Sequence, residues 1–257
     1  MVFQVLYINK LLNLLKPMKK KNLLLVAMST ICTATYAQDL QLHYDFGRNL
    51  YSNNQSTRPK VTLTYENFSA DKWGSWYYFV DVDFSRKFTE SAYTEVSREF
   101  NIGKNGFAAH IEYDGGLSSR GGSFQQSVLL GGAWNGHNSD FSTTYSVQLM
   151  YKRIFKSYSY TSAYHSLQLT GVWSTNFCDN ALTFSGFVDF WRTEKATHHG
   201  QMTFLTEPQL WYNLNTHKEG LNLSIGTECE ISNNFIYNTT DDQSFFINPT
   251  LALKWHF

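Results

Sequence analysis

Carboxylates and aromatic rings alternate with apolar side chains in two segments that follow residue 37. Such side chains recognise polar solutes, because an aromatic face stacks on planar rings and a carboxylate oxygen accepts hydrogen bonds from hydroxyls. If Tyr65, Trp76 and Tyr78 face outward, the residues between them face inward. The resulting candidate solute-binding residues are His43, Asp45, Glu66, Phe68, Tyr77, Phe79, Asp81 and Asp83. Alternatively, these carboxylates only pair with inward cations such as Lys254 and fill the interior.

Two other groups of residues offer chemistry, and neither is favoured. His137 and Ser139 have the His-x-Ser spacing of a class of barrel-shaped phospholipases, but they lie in a predicted turn and lack the Asn-Gly-Arg continuation of that class. His198 and His199, with Glu194, could ligate a metal, but adjacent side chains of an extended chain point to opposite faces. We therefore predict no catalytic residue, no metal site and no cofactor.

Placing side chains on one face of the chain requires strands, and alternation of apolar and polar residues between turn signals predicts twelve of them. Their length of about ten residues is that of a tilted strand crossing a bilayer. The predicted strands are Leu40–Phe46, Val61–Phe68, Ser75–Phe84, Ala92–Ile102, Phe107–Asp114, Phe124–Trp134, Phe141–Tyr151, Ala163–Trp173, Leu182–Trp191, Met202–Leu214, Leu221–Ile231 and Phe245–Phe257.

The predicted connections alternate in length. Long polar connections are expected at Gly47–Lys60, Lys152–Ser162, Arg192–Gln201 and Ser232–Ser244, with short turns between them. Bacterial transmembrane barrels have long external loops and short periplasmic turns, and their even strand number returns both termini to one side. The sequence therefore predicts an all-β protein, a transmembrane antiparallel β-barrel of about twelve strands over residues 38–257.

The last predicted strand places large apolar residues at every second position and ends on Phe257. It resembles the closing strand by which outer-membrane barrels are recognised for assembly. We expect the barrel assembly machinery to bind this strand and outer-membrane lipids to surround the barrel. The alternative, an edge strand of a soluble sandwich, would leave Trp255 and Phe257 to be buried by another element.

The amino-terminal segment predicts export. Met18 begins a basic stretch, an apolar run from Leu23 to Ile31 follows, and a small-residue cleavage site ends at Ala37. This arrangement is that of a secretory signal peptide. We assign residues 1–37 to the signal peptide, expect translation to begin at Met18, and predict the outer membrane of a Gram-negative type cell as the location.

Charge and cysteine content limit the possible partners. The chain has 21 basic and 21 acidic residues, and residues 1–37 hold lysines but no acidic residue, so the remainder is acidic. No basic stripe is present, which argues against a nucleic acid polymer as partner. Cys178 and Cys229 are placed on the ninth and eleventh strands. Two strand spacings are about 10 Å, beyond the roughly 7 Å limit for a disulfide, so two free thiols are predicted.

One segment carries a resemblance to a known family. Val61–Asp83 contains a Tyr-Glu-x-Phe element, a Trp-Gly turn and an aromatic strand ending in Asp, and Phe100–Gly116 is similar in style. This pattern resembles the Tsx-type nucleoside-specific channels and their uncharacterised outer-membrane barrel relatives. The resemblance implies a monomeric twelve-stranded barrel that passes nucleosides through a narrow lumen.

The sequence thus favours an outer-membrane channel for passive uptake of small polar solutes, nucleosides among them, and not an enzyme. A non-conducting barrel that acts as a scaffold or docking surface is the main alternative. An outer-membrane phospholipase is a more distant one.

Overall fold

The computed structural model describes residues 38–85, 88–119, 122–157, 162–197, 200–217, 220–236 and 244–257. The predicted signal peptide, residues 1–37, lies outside these ranges. The strands are β1 (Gln38–Asp45), β2 (Val61–Asp71), β3 (Gly74–Phe84), β4 (Thr89–Ile102), β5 (Phe107–Ser118), β6 (Gly122–Ser123), β7 (Ser127–His137), β8 (Thr143–Ile154), β9 (Tyr164–Phe177), β10 (Leu182–Thr197), β11 (Gly200–Thr206), β12 (Gln209–Asn213), β13 (Leu223–Asn233) and β14 (Phe245–His256). A short helix, α1 (Gly47–Leu50), follows β1, and a 3₁₀ turn (Leu214–Thr216) follows β12.

The strands form a closed antiparallel barrel. Consecutive wall strands are hydrogen-bonded neighbours, and β14 pairs with β1 to close the sheet. β11 and β12 lie end to end and together occupy one position between β10 and β13, while the two-residue β6 pairs only with β5. The wall therefore has twelve strands, and the predicted fold is confirmed.

Among the described residues, no helix has the length and apolar character needed to span a membrane.

The barrel is apolar outside and polar inside. In β14, Leu251, Leu253 and Trp255 are exposed, whereas Asn248 and Thr250, at intervening positions, are buried. The same inversion holds in β1, where exposed Leu42 alternates with buried polar residues. An apolar exterior with a polar interior is the arrangement of a barrel that lies in lipid.

Two predicted wall features are wrong. The expected long connection Arg192–Gln201 is mostly strand, because β10 continues to Thr197 and β11 begins at Gly200. The predicted strand Met202–Leu214 is interrupted at Glu207 and Pro208, since proline has no N–H to donate to a neighbouring strand.

The two thiols are free, as predicted. Cys229 lies in β13 opposite Pro249 on the outer face. Cys178 is in the turn after β9 and has a positive φ of 53°, so its placement on a strand was wrong.

We call the end of the barrel where β1 begins and β14 ends the terminal end, and the opposite end the loop end. The turns at the terminal end are short between β2 and β3 and between β4 and β5. The loop end carries the connection 46–60, and the described residues that follow β13 and precede β14 also lie there. The predicted alternation of long loops at one end and short turns at the other therefore holds for these connections.

An arginine on the outer face tests the assignment of that face to lipid. Leu42 is 46 % exposed and faces Leu63 and Leu253 on the neighbouring strands. We expect Leu42→Arg to lower the free energy of unfolding by about 2–4 kcal/mol, because the guanidinium must enter hydrocarbon. Denaturant unfolding in phospholipid vesicles measures this, with Leu42→Phe as the apolar control. An arginine variant as stable as the control would contradict a lipid-facing position.

Candidate functional site

Two neighbouring regions of the inner surface of the barrel differ in how completely their side chains are buried. Inward residues of β2, β3 and β4 such as Thr64, Asp81 and Tyr93 are partly exposed. On the strands that adjoin β2 through β1, Trp211 of β12 and Phe246 of β14 are fully buried with their polar neighbours. We call the inward face of β2–β4 the open wall and that of β12–β14 and β1 the packed wall. A solute path through the barrel would follow the open wall.

Four aromatic rings form a ladder along the open wall, each in contact with the next. Ring centroids are 6.2 Å apart for Tyr77 and Phe79, 6.1 Å for Phe79 and Tyr93, and 5.6 Å for Tyr93 and Phe124. Gly116 makes the last contact possible, because a Cβ there would lie 2.8 Å from a ring carbon of Phe124 and 2.2 Å from a backbone oxygen. We call these four side chains the aromatic ladder.

Carboxylates lie beside the ladder towards β2. Asp81 accepts a hydrogen bond from the Thr64 hydroxyl at 2.5 Å. Asp83 accepts from Thr62 at 2.7 Å and from Ser91 at 2.6 Å. Each of these hydroxyl groups belongs to the residue directly opposite the carboxylate on a neighbouring strand, so strand register positions both carboxylates.

A second acidic group lies on the other side of the ladder. Carboxylate oxygens of Glu95, Glu112 and Asp114 all lie within 4.8 Å of one another. Tyr93 of the ladder donates to Glu95 at 2.8 Å. The Lys152 ammonium lies 3.1 Å from Asp114 and balances part of this negative charge.

The packed wall holds a cation against an aromatic ring. The Lys254 ammonium lies 4.2 Å from the Trp211 ring centroid and 3.9 Å from Asp39. His43 meets the same ring edge-on, with centroids 6.1 Å apart, and its nitrogens contact Thr250 at 3.2 Å and Gln41 at 3.0 Å. His43 is therefore held by packing and hydrogen bonds on all sides.

The connection 46–60 folds over the packed wall at the loop end. Arg58 reaches Asp45 at 2.9 Å and Glu230 at 2.8 Å, so it joins the first strand to β13. Burial of Arg58 disfavours its charge, but Glu230 and Asp45 outweigh that effect and raise the pKa of the guanidinium above its usual value. The Tyr51 ring packs edge-on against Phe246, with centroids 5.1 Å apart. The loop therefore narrows the loop end of the barrel.

The predicted site residues separate into two groups. One group lies together on the open wall and consists of Glu66, Tyr77, Phe79, Asp81 and Asp83. Phe68 shares their inward register but lies towards the terminal end and is 46 % exposed. His43 and Asp45 lie on the packed wall, the first against Trp211 and the second paired with Arg58.

Sequence reasoning did not identify several residues of this interior, notably Tyr93, Glu95, Asp114, Lys152 and Arg58. The alternation Ser91, Tyr93, Glu95 in β4 has the same signature as β3 and could have indicated the first two. The contacts of Lys152 and Arg58 bring together residues remote in sequence and follow only from strand order.

The phospholipase and metal-binding alternatives depend on residues outside the lumen site described above. His137 ends β7, stacks on Phe141 at 3.8 Å between ring centroids, and contacts the Asn138 carbonyl at 2.7 Å. Ser139 lies in the following turn. His198, His199 and the Glu194 side chain, the alternative metal ligands, lie outside the described part of the structure.

A closed twelve-stranded wall with an apolar exterior and a polar interior defines a transmembrane β-barrel. The family described as a domain of unknown function (DUF5020) matches residues 37–257, and the chain belongs to that family. No curated protein matches the sequence.

Several solved structures are similar to this chain. The NanC porin is 11 % identical, with a TM-score of 0.57 over 86 % of this chain and 100 % of its own. A KdgM porin (12 % identity, TM-score 0.47, 86 % and 99 % covered) and LpxR from Salmonella typhimurium (7 % identity, TM-score 0.45, 86 % and 100 % covered) are less similar in structure. The NanC likeness shows the fold, and the nucleoside-channel resemblance of Val61–Asp83 stays a prediction.

Arg58 can be tested as the residue that holds the loop. Removing one partner of a largely buried ion pair costs about 3–5 kcal/mol, because the remaining charges are left uncompensated. We expect Arg58→Ala to free the connection 46–60, so that chymotrypsin cuts after Tyr51 in the folded barrel at least about tenfold faster. Arg48→Ala, which removes an exposed arginine of the same loop, is the control. Equal cleavage in both variants would show that the ion pairs do not hold the loop.

Proposed function

We propose that this protein is an outer-membrane channel for small polar solutes that are uncharged or cationic. The observation that carries the proposal is the open wall, where an aromatic ladder runs between two groups of carboxylates. Rings and carboxylates together bind cations and hydroxyl-bearing rings, while their negative charge opposes anions.

Carboxylates dominate the described interior. The inward acids are Asp39, Asp45, Glu66, Asp81, Asp83, Glu95, Glu99, Glu112, Asp114, Asp189, Glu207, Glu228 and Glu230. The described cations that face them are Lys152, Lys254 and Arg58. His43 and His110 also face these acids and carry a charge only when protonated. The excess of negative charge supports a lumen that concentrates cations and repels anions.

Nucleosides fit this chemistry as one class of solute. A base can stack on Phe79 or Tyr93, and ribose hydroxyls can donate to Asp81. A conducting site has to bind weakly enough for the solute to leave. Partly exposed side chains on one wall are compatible with such a weak site.

A non-conducting barrel is the second candidate, and the packed wall favours it. Trp211 and Phe246 are fully buried, as is Leu129 on β7. The connection 46–60 covers part of the same region. Such a barrel would act as a scaffold or docking surface, and conductance in planar bilayers separates it from a channel.

The proposed location accounts for the two ends of the chain. Residues 1–37 would direct export. The barrel assembly machinery would bind β14, which is followed by Phe257, a residue that is 59 % exposed. The loop end then faces the cell exterior, and the terminal end faces the periplasm.

Ion selectivity tests the acidic lumen. In a planar bilayer with a KCl gradient, we expect a reversal potential that shows K⁺ permeating more readily than Cl⁻. Asp81→Asn with Glu95→Gln should lower the K⁺ preference at least about twofold, because the charge lining the path falls. Asp179→Asn, in the exposed turn after β9, should leave it unchanged. Discrete conductance that prefers Cl⁻ would contradict the selectivity, and absence of conductance would favour the scaffold.

Solute block tests the aromatic ladder. We expect adenosine or uridine to reduce the single-channel current, and Phe79→Ala to weaken that block about fivefold or more, because loss of base stacking costs about 1–3 kcal/mol. Phe141→Ala, in the exposed turn after β7, is the control. Liposome swelling with nucleosides, sugars and amino acids then ranks the solutes. If sugars and nucleosides enter equally and Phe79→Ala changes neither, the ladder is not a nucleoside site.

A further inference from the structure

The outer surface of β8–β10 carries a row of basic side chains near the loop end. Arg153 of β8 lies directly opposite His165 of β9, and Arg192 of β10 lies opposite Met202 of β11. These residues alternate with the inward positions of their strands and therefore face outward. Adjacent strands are about 4.8 Å apart, so the row spans roughly 10 Å of the surface.

A cleft opens within this row. Its volume is about 460 Å³, and its lining consists of Tyr151, His165, Ser166, Leu167, Arg192 and Met202. We call it the outer cleft. Leu167 and Met202 are 64 % and 57 % exposed, so its floor presents apolar surface to the surroundings.

The basic groups at the cleft contact one another. A guanidinium nitrogen of Arg153 contacts Nε2 of His165, and the Tyr151 hydroxyl contacts Nδ1. Among the residues that the structure describes, no carboxylate forms an ion pair with Arg153. An arginine has five N–H donors, so most of those of Arg153 remain available to an anion.

The level of the cleft on the barrel indicates which anion reaches it. One register step towards the middle of the wall, the outward side chains are Leu149, Leu169, Phe190 and Phe204. Basic residues and a tyrosine directly above an apolar band lie where lipid headgroups meet hydrocarbon. An anionic ligand at this level that also covers the apolar side chains of Leu167 and Met202 must itself carry an acyl chain.

We propose that the outer cleft binds a phosphorylated lipid of the outer leaflet. The phosphate accepts hydrogen bonds from Arg153 and lies near Arg192, and one acyl chain lies over Leu167 and Met202. Planar guanidinium groups match phosphate oxygens in geometry as well as charge. The proposal depends on the outer-membrane placement proposed above, but not on whether the barrel conducts.

Lipid binding to the purified full-length barrel in detergent tests this site. The probes are bisphosphorylated lipid A, the same lipid with both phosphates removed, and inorganic phosphate. Native mass spectrometry gives the fraction of protein with bound lipid at each concentration. We expect the phosphorylated lipid to bind at least about tenfold more tightly than the dephosphorylated one, because charged hydrogen bonds to phosphate are lost.

The variant Arg153→Gln with His165→Gln should lose that preference, while Lys104→Gln, in the turn between β4 and β5, should keep it. Arg153→Lys retains the charge without the planar fork and should give an intermediate preference. A heat-dependent shift in electrophoretic mobility confirms that each variant is folded. Ion selectivity and conductance should match wild type in all three variants, because these side chains face outward, so a failed channel proposal stays distinguishable from a failed lipid site.

Several results would overturn the proposal. Equal binding of both lipids by the wild type would show that phosphate is not recognised. Unchanged preference in the double variant would place the site elsewhere. Displacement of the lipid by equimolar inorganic phosphate would identify a simple anion site, and a dimer that the double variant abolishes would make the cleft a contact between two copies of the chain.

Discussion

Closure of the sheet by the pairing of β14 with β1 is the constraint on which the rest of the structure depends. In hydrocarbon, an unpaired backbone N–H or C=O has no water to bind, so a strand edge cannot be exposed there. The seven-residue register from Asp39–His256 to Asp45–Thr250 removes both edges at once. With the edges gone, only side chains determine what faces lipid and what faces the lumen.

Inside the closed sheet, the side chains of neighbouring strands are buried to different extents. Where β12, β13, β14 and β1 meet, Trp211 and Phe246 fill the space, and polar groups such as Asn248 are buried among them. On β2 and β3 the inward side chains pack less completely, and hydroxyl groups of neighbouring strands hold the carboxylates of Asp81 and Asp83. The four rings of the aromatic ladder and the side chains of Asp81 and Asp83 therefore remain partly exposed along the open wall.

The alternation of side chains predicted most of this fold, because a period of two directly reports which face of a strand meets lipid. The closing strand Phe245–His256 and the open-wall residues Glu66, Phe79 and Asp81 followed from that pattern. The pattern does not show how deeply a side chain is buried in the lumen or which side chains of distant strands it contacts. The prediction therefore placed His43 with the open-wall residues, although His43 packs against Trp211 on the packed wall. It also extended one strand through Pro208, where the missing backbone N–H of proline interrupts the strand. Loop 46–60 was predicted only as polar, since its inward fold depends on carboxylates supplied by β1 and β13.

The double ion pair of Arg58 has a consequence for the order of folding. Arg58 is 13 residues from Asp45 but 172 residues from Glu230, so its second contact spans the junction between the two ends of the chain. Contacts of such separation form late, after shorter-range pairings have reduced the entropy of the intervening chain. Strand hairpins from β2 to β13 can assemble before this loop has both partners. The loop thus gains both partners only after β14 has paired with β1, and its contacts then tie β1 to β13 on the lumen side of that junction.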